Sequence, residues 1–324
     1  MLRRPTLSSM TTALVATLLV AAGVLSGPLA AQAAPAAAAK TAAPYYLSLG
    51  DSYSVGYQPG KGATVGYTGY VATRLKMQLQ NFGCGGATTN SILNSIGCAP
   101  PSGLAAAFHP VAYPTTTQEQ SALAFIAAHP GRVSLITVSI GGNDVTACAA
   151  TADPVPCVSG VEATMKTNVT SLVGALRSAL VANGDSSARI IGLTYPDVLL
   201  GDYVYPVGKA NASLANLSVT AFDALINPTL KTAYTSVPGG SFVNVTQAPY
   251  KLATAGDDTG GGLAKSAQVA LKPYGKIPVA VWEVCQLTYF CSQGNIHANT
   301  KGYAFIGQLI VAHYKSLPKT SASS

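Results

Sequence analysis

Four short segments of this chain carry residue types that can act on one another. Gly50-Asp51-Ser52-Tyr53-Ser54 puts a serine on a tight turn just after an apolar run, Tyr45–Leu49. Asn81-Phe82-Gly83-Cys84-Gly85-Gly86-Ala87-Thr88-Thr89 offers backbone N–H groups with no side chain in the way. Ser139-Ile140-Gly141-Gly142-Asn143-Asp144 ends a second apolar run on a side-chain amide, and Gly294-Asn295-Ile296-His297 supplies an imidazole. A serine hydroxyl is a poor nucleophile until a base takes its proton. Histidine is the natural base near neutral pH. The tetrahedral intermediate of acyl transfer then needs preorganised donors. Ser52 and His297 would form the reacting pair. The Ser52 N–H, a glycine N–H from Gly85 or Gly86, and the Asn143 amide would form the donors.

These segments work together only if the fold gathers them. Strand-like runs are Tyr45–Leu49, Val133–Ile140, Arg189–Thr194 and Phe242–Val245. Between them lie helical patterns. Tyr67, Val71, Leu75 and Leu79 make a stripe at intervals of four, and Gln118–Ala128, Val161–Ala182 and Leu214–Leu225 are rich in Ala and Leu. Tyr303, Ile306, Leu309, Ile310 and Tyr314 give a last helical face. Alternation of strand and helix predicts an α/β domain with a parallel sheet covered on both faces. In such sheets the ends of strands present chemistry, and Ser52 and Asn143 both sit at strand ends.

The ends of the chain read differently. Arg3 and Arg4 followed by apolar Ala13–Leu25 and a small-residue site, Ala31-Gln32-Ala33, predict a signal peptide over residues 1–33. The apolar run is short for a membrane anchor and closes on Ser26-Gly27-Pro28. Residues 34–43 read as a flexible lead, 44–317 as one domain and 318–324 as a disordered tail. Six cysteines suit an exported, secreted protein. Of the 15 possible pairings, local loops favour Cys84 with Cys98, Cys148 with Cys157 and Cys285 with Cys291. A zinc site is the competing reading, but no Cys-x-x-Cys occurs.

The formal charge of +7 becomes +5 once Arg3 and Arg4 are removed, spread without a basic stripe. That argues against nucleic acid as a partner. The expected partner is a small-molecule or lipid ester, with at most transient contact with a lipid surface, and the protein is expected to be a monomer. Neither a metal nor any other cofactor is required by the residues singled out.

Taken in order, Gly-Asp-Ser near the mature start, Gly-Gly-Asn-Asp, and a late His before Ala-Asn-x-x-Gly-Tyr resemble the SGNH hydrolases, the GDSL esterase/lipase family. The resemblance covers essentially the whole mature chain. It implies a flavodoxin-like three-layer α/β/α sandwich and places the family's serine, glycine, asparagine and histidine on Ser52, Gly86, Asn143 and His297. It also implies a carboxylic ester hydrolase, with lipase, esterase, phospholipase A and glycan acetylesterase as the range of activities. One position departs from the family: the Asp that often precedes the His by three residues is Gly294 here. The expectation is therefore a Ser–His dyad in which the Gly294 carbonyl, or one close to it, accepts the His297 Nδ1–H. Glu283 is the alternative acceptor, which would complete a triad. His129 reads as a helix stop and His313 as a satisfied core histidine. A non-catalytic secreted binding protein on the same scaffold is the reading from a different class. Trypsin-like proteases place their serine after the histidine, and the Gly-x-Ser-x-Gly elbow of α/β-hydrolases is missing.

Overall fold

The computed structural model describes residues 42–98, 110–206, 211–246, 263 and 267–318. The expected signal peptide, most of the lead and the last six residues of the tail lie outside the described residues, as do His109 and parts of the loops 100–114, 203–212 and 254–262.

Five parallel strands form the central sheet: β1 (Tyr45–Gly50), β2 (Gln78–Asn81), β3 (Val133–Ser139), β4 (Arg189–Leu193) and β5 (Gly240–Val243). Their order is β2-β1-β3-β4-β5, the flavodoxin-like order, in which the chain reverses direction across the sheet between β1 and β3. Strands β1, β3 and β4 are buried on both faces, so Leu, Ile, Val and Tyr dominate them, with small Ser and Thr as most of the polar residues. Edge strand β2 reads Gln-Leu-Gln-Asn.

The helices are α1 (Ser52–Val55), α2 (Gly66–Leu75), α3 (Ser91–Asn94), α4 (Gln118–Ala128), α5 (Gly142–Thr146), α6 (Pro154–Ala182), α7 (Ala212–Ala221), α8 (Asn227–Tyr234), α9 (Val279–Leu287), α10 (Phe290–Gln293) and α11 (Thr300–Ser316). Alternation along β1 shows how they divide. Tyr45 packs edge-on to Phe125 of α4, while Ser48 Oγ lies 3.4 Å from Tyr67 Oη of α2. Helices α4, α6 and α8 cover one face, and α2 with α11 covers the other. Two small antiparallel pairs complete the fold: β6 (Gln268–Leu271) with β7 (Gly275–Pro278), and β8 (Thr288–Tyr289) with β9 (Asn295–Ala298).

Several sequence expectations shift, among them the strand expected at Phe242–Val245, which runs over Gly240–Val243. The stripe through Leu79 runs past its helix: α2 stops at Leu75, Lys76 turns the chain at φ 55°, and Leu79 belongs to β2. Helix α6 begins at Pro154 rather than Val161, because a proline in the first turn has no N–H bond to lose. The helix expected over Leu214–Leu225 begins at Ala212, passes through a π-turn at Phe222–Ile226 and continues into α8. The cysteine pairing is as expected: Cys84–Cys98, Cys148–Cys157 and Cys285–Cys291, with Cα separations of 6.0, 5.5 and 5.2 Å. All six cysteines are consumed, so the zinc reading fails for want of thiolates.

Candidate active site

Ser52 opens α1 directly after β1. The turn is forced by Gly50, whose φ is +142° and where a Cβ would lie 2.1 Å from the Ser139 carbonyl oxygen. Gln118 clasps the same glycine, accepting its N–H at 2.6 Å and donating to its carbonyl at 3.0 Å. Asp51 caps α1 by accepting the Tyr53 N–H at 2.9 Å. This fixes the Ser52 side chain at the mouth of the β1–β3 switch point, where ligands bind in sheets of this order.

His297 arrives from the far end of the chain on β9. Three constraints hold it. The Tyr53 hydroxyl donates to the Ile296 carbonyl at 2.6 Å. The Tyr53 ring stacks on the imidazole at 6.0 Å, and Tyr57 meets it edge-on at 4.6 Å. The Cys285–Cys291 bridge ties the preceding segment down. The result places His297 Nε2 2.8 Å from Ser52 Oγ.

The other ring nitrogen corrects the expectation about Gly294. His297 Nδ1 lies 2.8 Å from Asn295 Oδ1, so the acceptor is a side-chain carbonyl, not the backbone of residue 294. Asn295 Oδ1 also accepts the His297 backbone N–H at 3.1 Å. A backbone N–H can only donate, so the atom facing the imidazole is the amide oxygen and Nδ1 carries the proton. Nε2 is then left with its lone pair toward the Ser52 hydroxyl. Gly294 serves the turn: it ends α10 at φ +64°, where a Cβ would lie 2.5 Å from Tyr205 Cε1. Among the described residues no hydrogen bond joins Glu283 to His297; burial pushes the Glu283 carboxyl up to about 7, and its Oε2 finds no partner there.

Burial also pushes His297 down, to about 4. Among the described residues no carboxylate offsets that desolvation, which keeps the ring neutral and able to accept a proton over most of the pH range.

Asn143 lies in the first turn of α5, after β3. Its Nδ2 donates to the Ala87 carbonyl at 2.8 Å and lies 3.4 Å from Asp51 Oδ2. Its neighbour Asp144 accepts the Thr89 N–H at 2.9 Å and the Thr89 hydroxyl at 2.6 Å. These bonds knit the β3 turn to the glycine loop. In that loop Gly86 is exposed at φ +78°, with no atom within 4 Å of a would-be Cβ. A carbonyl oxygen can thus approach its backbone. Gly86 lines a separate hollow with Cys84, Ser91, Tyr113 and Gln118.

Ser52 and Asn143 share an apolar groove enclosing about 820 Å3 of empty space, its open mouth included. Its walls include Val145, Val158, Leu199, Leu214, Phe222 and Ile226. The Cys148–Cys157 bridge joins two of the segments that line it. The sequence does not show the groove, and it passes over Asn295 because that side chain carries no charge. The groove is built from segments far apart in the chain. Asn295 did leave a signal, since Asn side chains commonly accept the N–H two residues on.

The other two described histidines, His129 and His313, lie outside the site. His129 ends α4, with Nδ1 2.8 Å from the Phe125 carbonyl. His313 departs from its expected satisfied state: it is half-buried, and its Nε2 has no partner among the described residues.

Solved structures similar to this chain include three hydrolases. An extracellular lipase from Streptomyces rimosus is 19% identical, with a TM-score of 0.43, over 84% of this chain and 99% of that one. A lipase from a goat rumen metagenome is 13% identical, with a TM-score of 0.47, over 83% and 96%. An acetyl-xylooligosaccharide esterase from Geobacillus is 15% identical, with a TM-score of 0.37, over 86% and 97%. No curated protein matches this chain. The model of the GDSL-like lipase/acylhydrolase family matches residues 48–305, a span running from β1 into α11. The chain therefore belongs to the GDSL-like lipase/acylhydrolase family and is a carboxylic ester hydrolase.

Proposed function

We propose that this chain is an exported esterase of lipase type, acting on esters whose acyl chain lies in the apolar groove beside Ser52. His297 Nε2 takes the Ser52 proton as Oγ attacks the acyl carbon. The oxyanion is received by the Asn143 amide, the Gly86 N–H and the Ser52 N–H, which opens a helix and so has no intrahelical acceptor. The imidazolium returns its proton to the departing alcohol, then activates a water that releases the acid. Asn295 holds the productive tautomer throughout, in the place a carboxylate holds in a triad.

The observation that carries this reading is the Ser52–His297 contact of 2.8 Å with its tautomer fixed by Asn295, opening on an apolar groove. The groove favours a fatty acyl chain over acetyl, because each buried CH2 contributes about 0.8 kcal/mol, or about fourfold in affinity. Export is supported by the Arg3-Arg4 and Ala13–Leu25 pattern and by the three disulfides.

The test is hydrolysis of p-nitrophenyl esters from acetyl to palmitoyl by oxidised protein, beside Ser52→Ala. We expect kcat/KM to rise with chain length beyond butyryl and activity to vanish in the variant. An optimum at acetyl would point instead to an acetylesterase. Folded wild-type protein that cleaves none of the series would contradict the assignment to this substrate class.

A further inference from the structure

Tyr195 has no part in the reaction just described, yet it touches three of the structures that carry it. It follows β4 and is 7% exposed. Its hydroxyl donates to Asp51 Oδ2 at 2.6 Å. Its ring meets Tyr53 edge-on at 5.2 Å. It also packs on Gly142 so closely that a Cβ there would lie 2.8 Å from Tyr195 Cζ. Gly142 precedes Asn143. Tyr195 is thus wedged between the turn that bears Ser52 and the turn that bears Asn143.

What the hydroxyl does there follows from the donors around Asp51. Oδ1 accepts the Tyr53 N–H, and Oδ2 accepts Tyr195. The third donor, Asn143 Nδ2, stands off at 3.4 Å, beyond the length of a strong bond. An amide nitrogen has two hydrogens. One of Asn143's goes to the Ala87 carbonyl, which leaves the other for the long contact with Asp51 Oδ2 or for a ligand in the groove that Asn143 lines. A buried carboxylate oxygen without a better donor would draw that hydrogen in, because bonds to ionised acceptors are about twice as strong as neutral ones. We infer that Tyr195 is a positioning residue: it saturates Asp51 Oδ2 and so leaves the second amide hydrogen of Asn143 for the substrate oxyanion. The inference rests on the esterase reading of the site.

Only ionised Asp51 competes strongly for Asn143, which gives the role a pH signature. Asp51 is 2% exposed, and burial pushes its carboxyl up to about 7. The titratable groups around it are Tyr53 on α1, Tyr195, Asp144 on α5, Tyr67 on α2, Tyr234 on α8 and Tyr303 on α11, with His297 beyond the Tyr53 ring. Burial raises each of those tyrosines, so they stay neutral while Asp51 titrates. His297, pushed down to about 4, remains a base across the same range.

The experiment is kcat and KM of wild type and Tyr195→Phe on one p-nitrophenyl ester from about pH 5 to about pH 9, with thermal melts alongside. Where Asp51 is ionised, near pH 9, kcat of the variant should fall about 10- to 100-fold, less than complete loss of one oxyanion donor, with KM within about twofold. Near pH 5, where Asp51 is protonated, the deficit should shrink to about threefold or less. A deficit equal at every pH, a deficit confined to KM, or no deficit overturns the role of Tyr195 and leaves the esterase reading standing. No hydrolysis by folded wild type overturns the esterase reading itself. If Tyr195→Phe does not fold, Asp51→Asn and Asp51→Asn/Tyr195→Phe carry the test, since neither buries a carboxylate at residue 51. Their kcat ratio should be the same at both pH extremes, and a ratio that still changes with pH overturns the proposal.

Discussion

Replacing Asn295 separates its orienting role from the charge of a triad acid. Asn295→Asp keeps an acceptor for both the His297 N–H and Nδ1 but adds a charge where Oδ1 now stands, 2.8 Å from the ring. Two unit charges about 4 Å apart at an effective dielectric near 20 attract by about 4 kcal/mol. His297 is only half-buried, so solvent screening brings the usable figure to about 2–4 kcal/mol. That is about 1.5–3 pH units on the imidazole. The sign is upward, because a negative neighbour favours the imidazolium. Since the base must be neutral to act, the acid limb of kcat/KM should move from about 4 in the wild type to about 5.5–7 in the variant. Asn295→Ala should instead leave the limb near its place and lower kcat/KM about 5- to 10-fold, through loss of one neutral hydrogen bond and of tautomer control. The assay is a pH–rate profile of both variants on one soluble ester. An unmoved limb in folded Asn295→Asp would refute the assignment of Asn295 as the partner of His297.

Other parts of the account are open to simpler checks. Leu214→Trp projects a large ring into the groove and should cost palmitoyl esters at least about tenfold in kcat/KM, roughly the yield of two buried methylenes, while acetyl esters change little in a parallel assay. Cys84→Ser/Cys98→Ser opens a loop of 14 residues and should lower stability by about 3 kcal/mol, read from denaturant melts. Burial pushes buried Asp197 up from 3.8 to about 7. A raised carboxyl contributes stability that is fully present below the unfolded pKa and lost as pH rises through the folded one. The fall in Tm between about pH 5 and about pH 8 should therefore be smaller in Asp197→Asn than in wild type; an equal fall would place the pH dependence elsewhere.

How much of this could be read in the chain depended on where each element sits. Strands β1, β3 and β4 were legible because burial on both faces fills them with Leu, Ile, Val and Tyr, interrupted mostly by small residues. Edge strand β2 was not: Gln78 and Gln80 are tolerated there, and Leu79 happened to fall four residues after Leu75. The start of β5 was hidden because Gly240 has no side chain to register as apolar. In the candidate site, Ser52, Asn143 and His297, which the structure brings together, sit in local motifs at strand ends and loops, while Gly86 lines a neighbouring hollow. The acceptor for His297 is expected on the backbone at Gly294 or at Glu283, because a missing Asp points to a backbone carbonyl or another carboxylate, and Asn295 carries no charge. The reach of Asn295 back to its own second neighbour depends on side-chain direction. Tyr195 and the groove walls are placed by packing between distant segments, which no local pattern encodes.

The most direct measurement is covalent trapping. Incubating the oxidised protein with a p-nitrophenyl alkylphosphonate and mapping the adduct by peptide mass spectrometry asks whether Ser52 is the nucleophile and His297 its base. The account predicts one adduct, on Ser52, absent in Ser52→Ala and formed at least about a hundredfold more slowly in His297→Ala. An adduct on another residue, or labelling of Ser52→Ala at the wild-type rate, would contradict it.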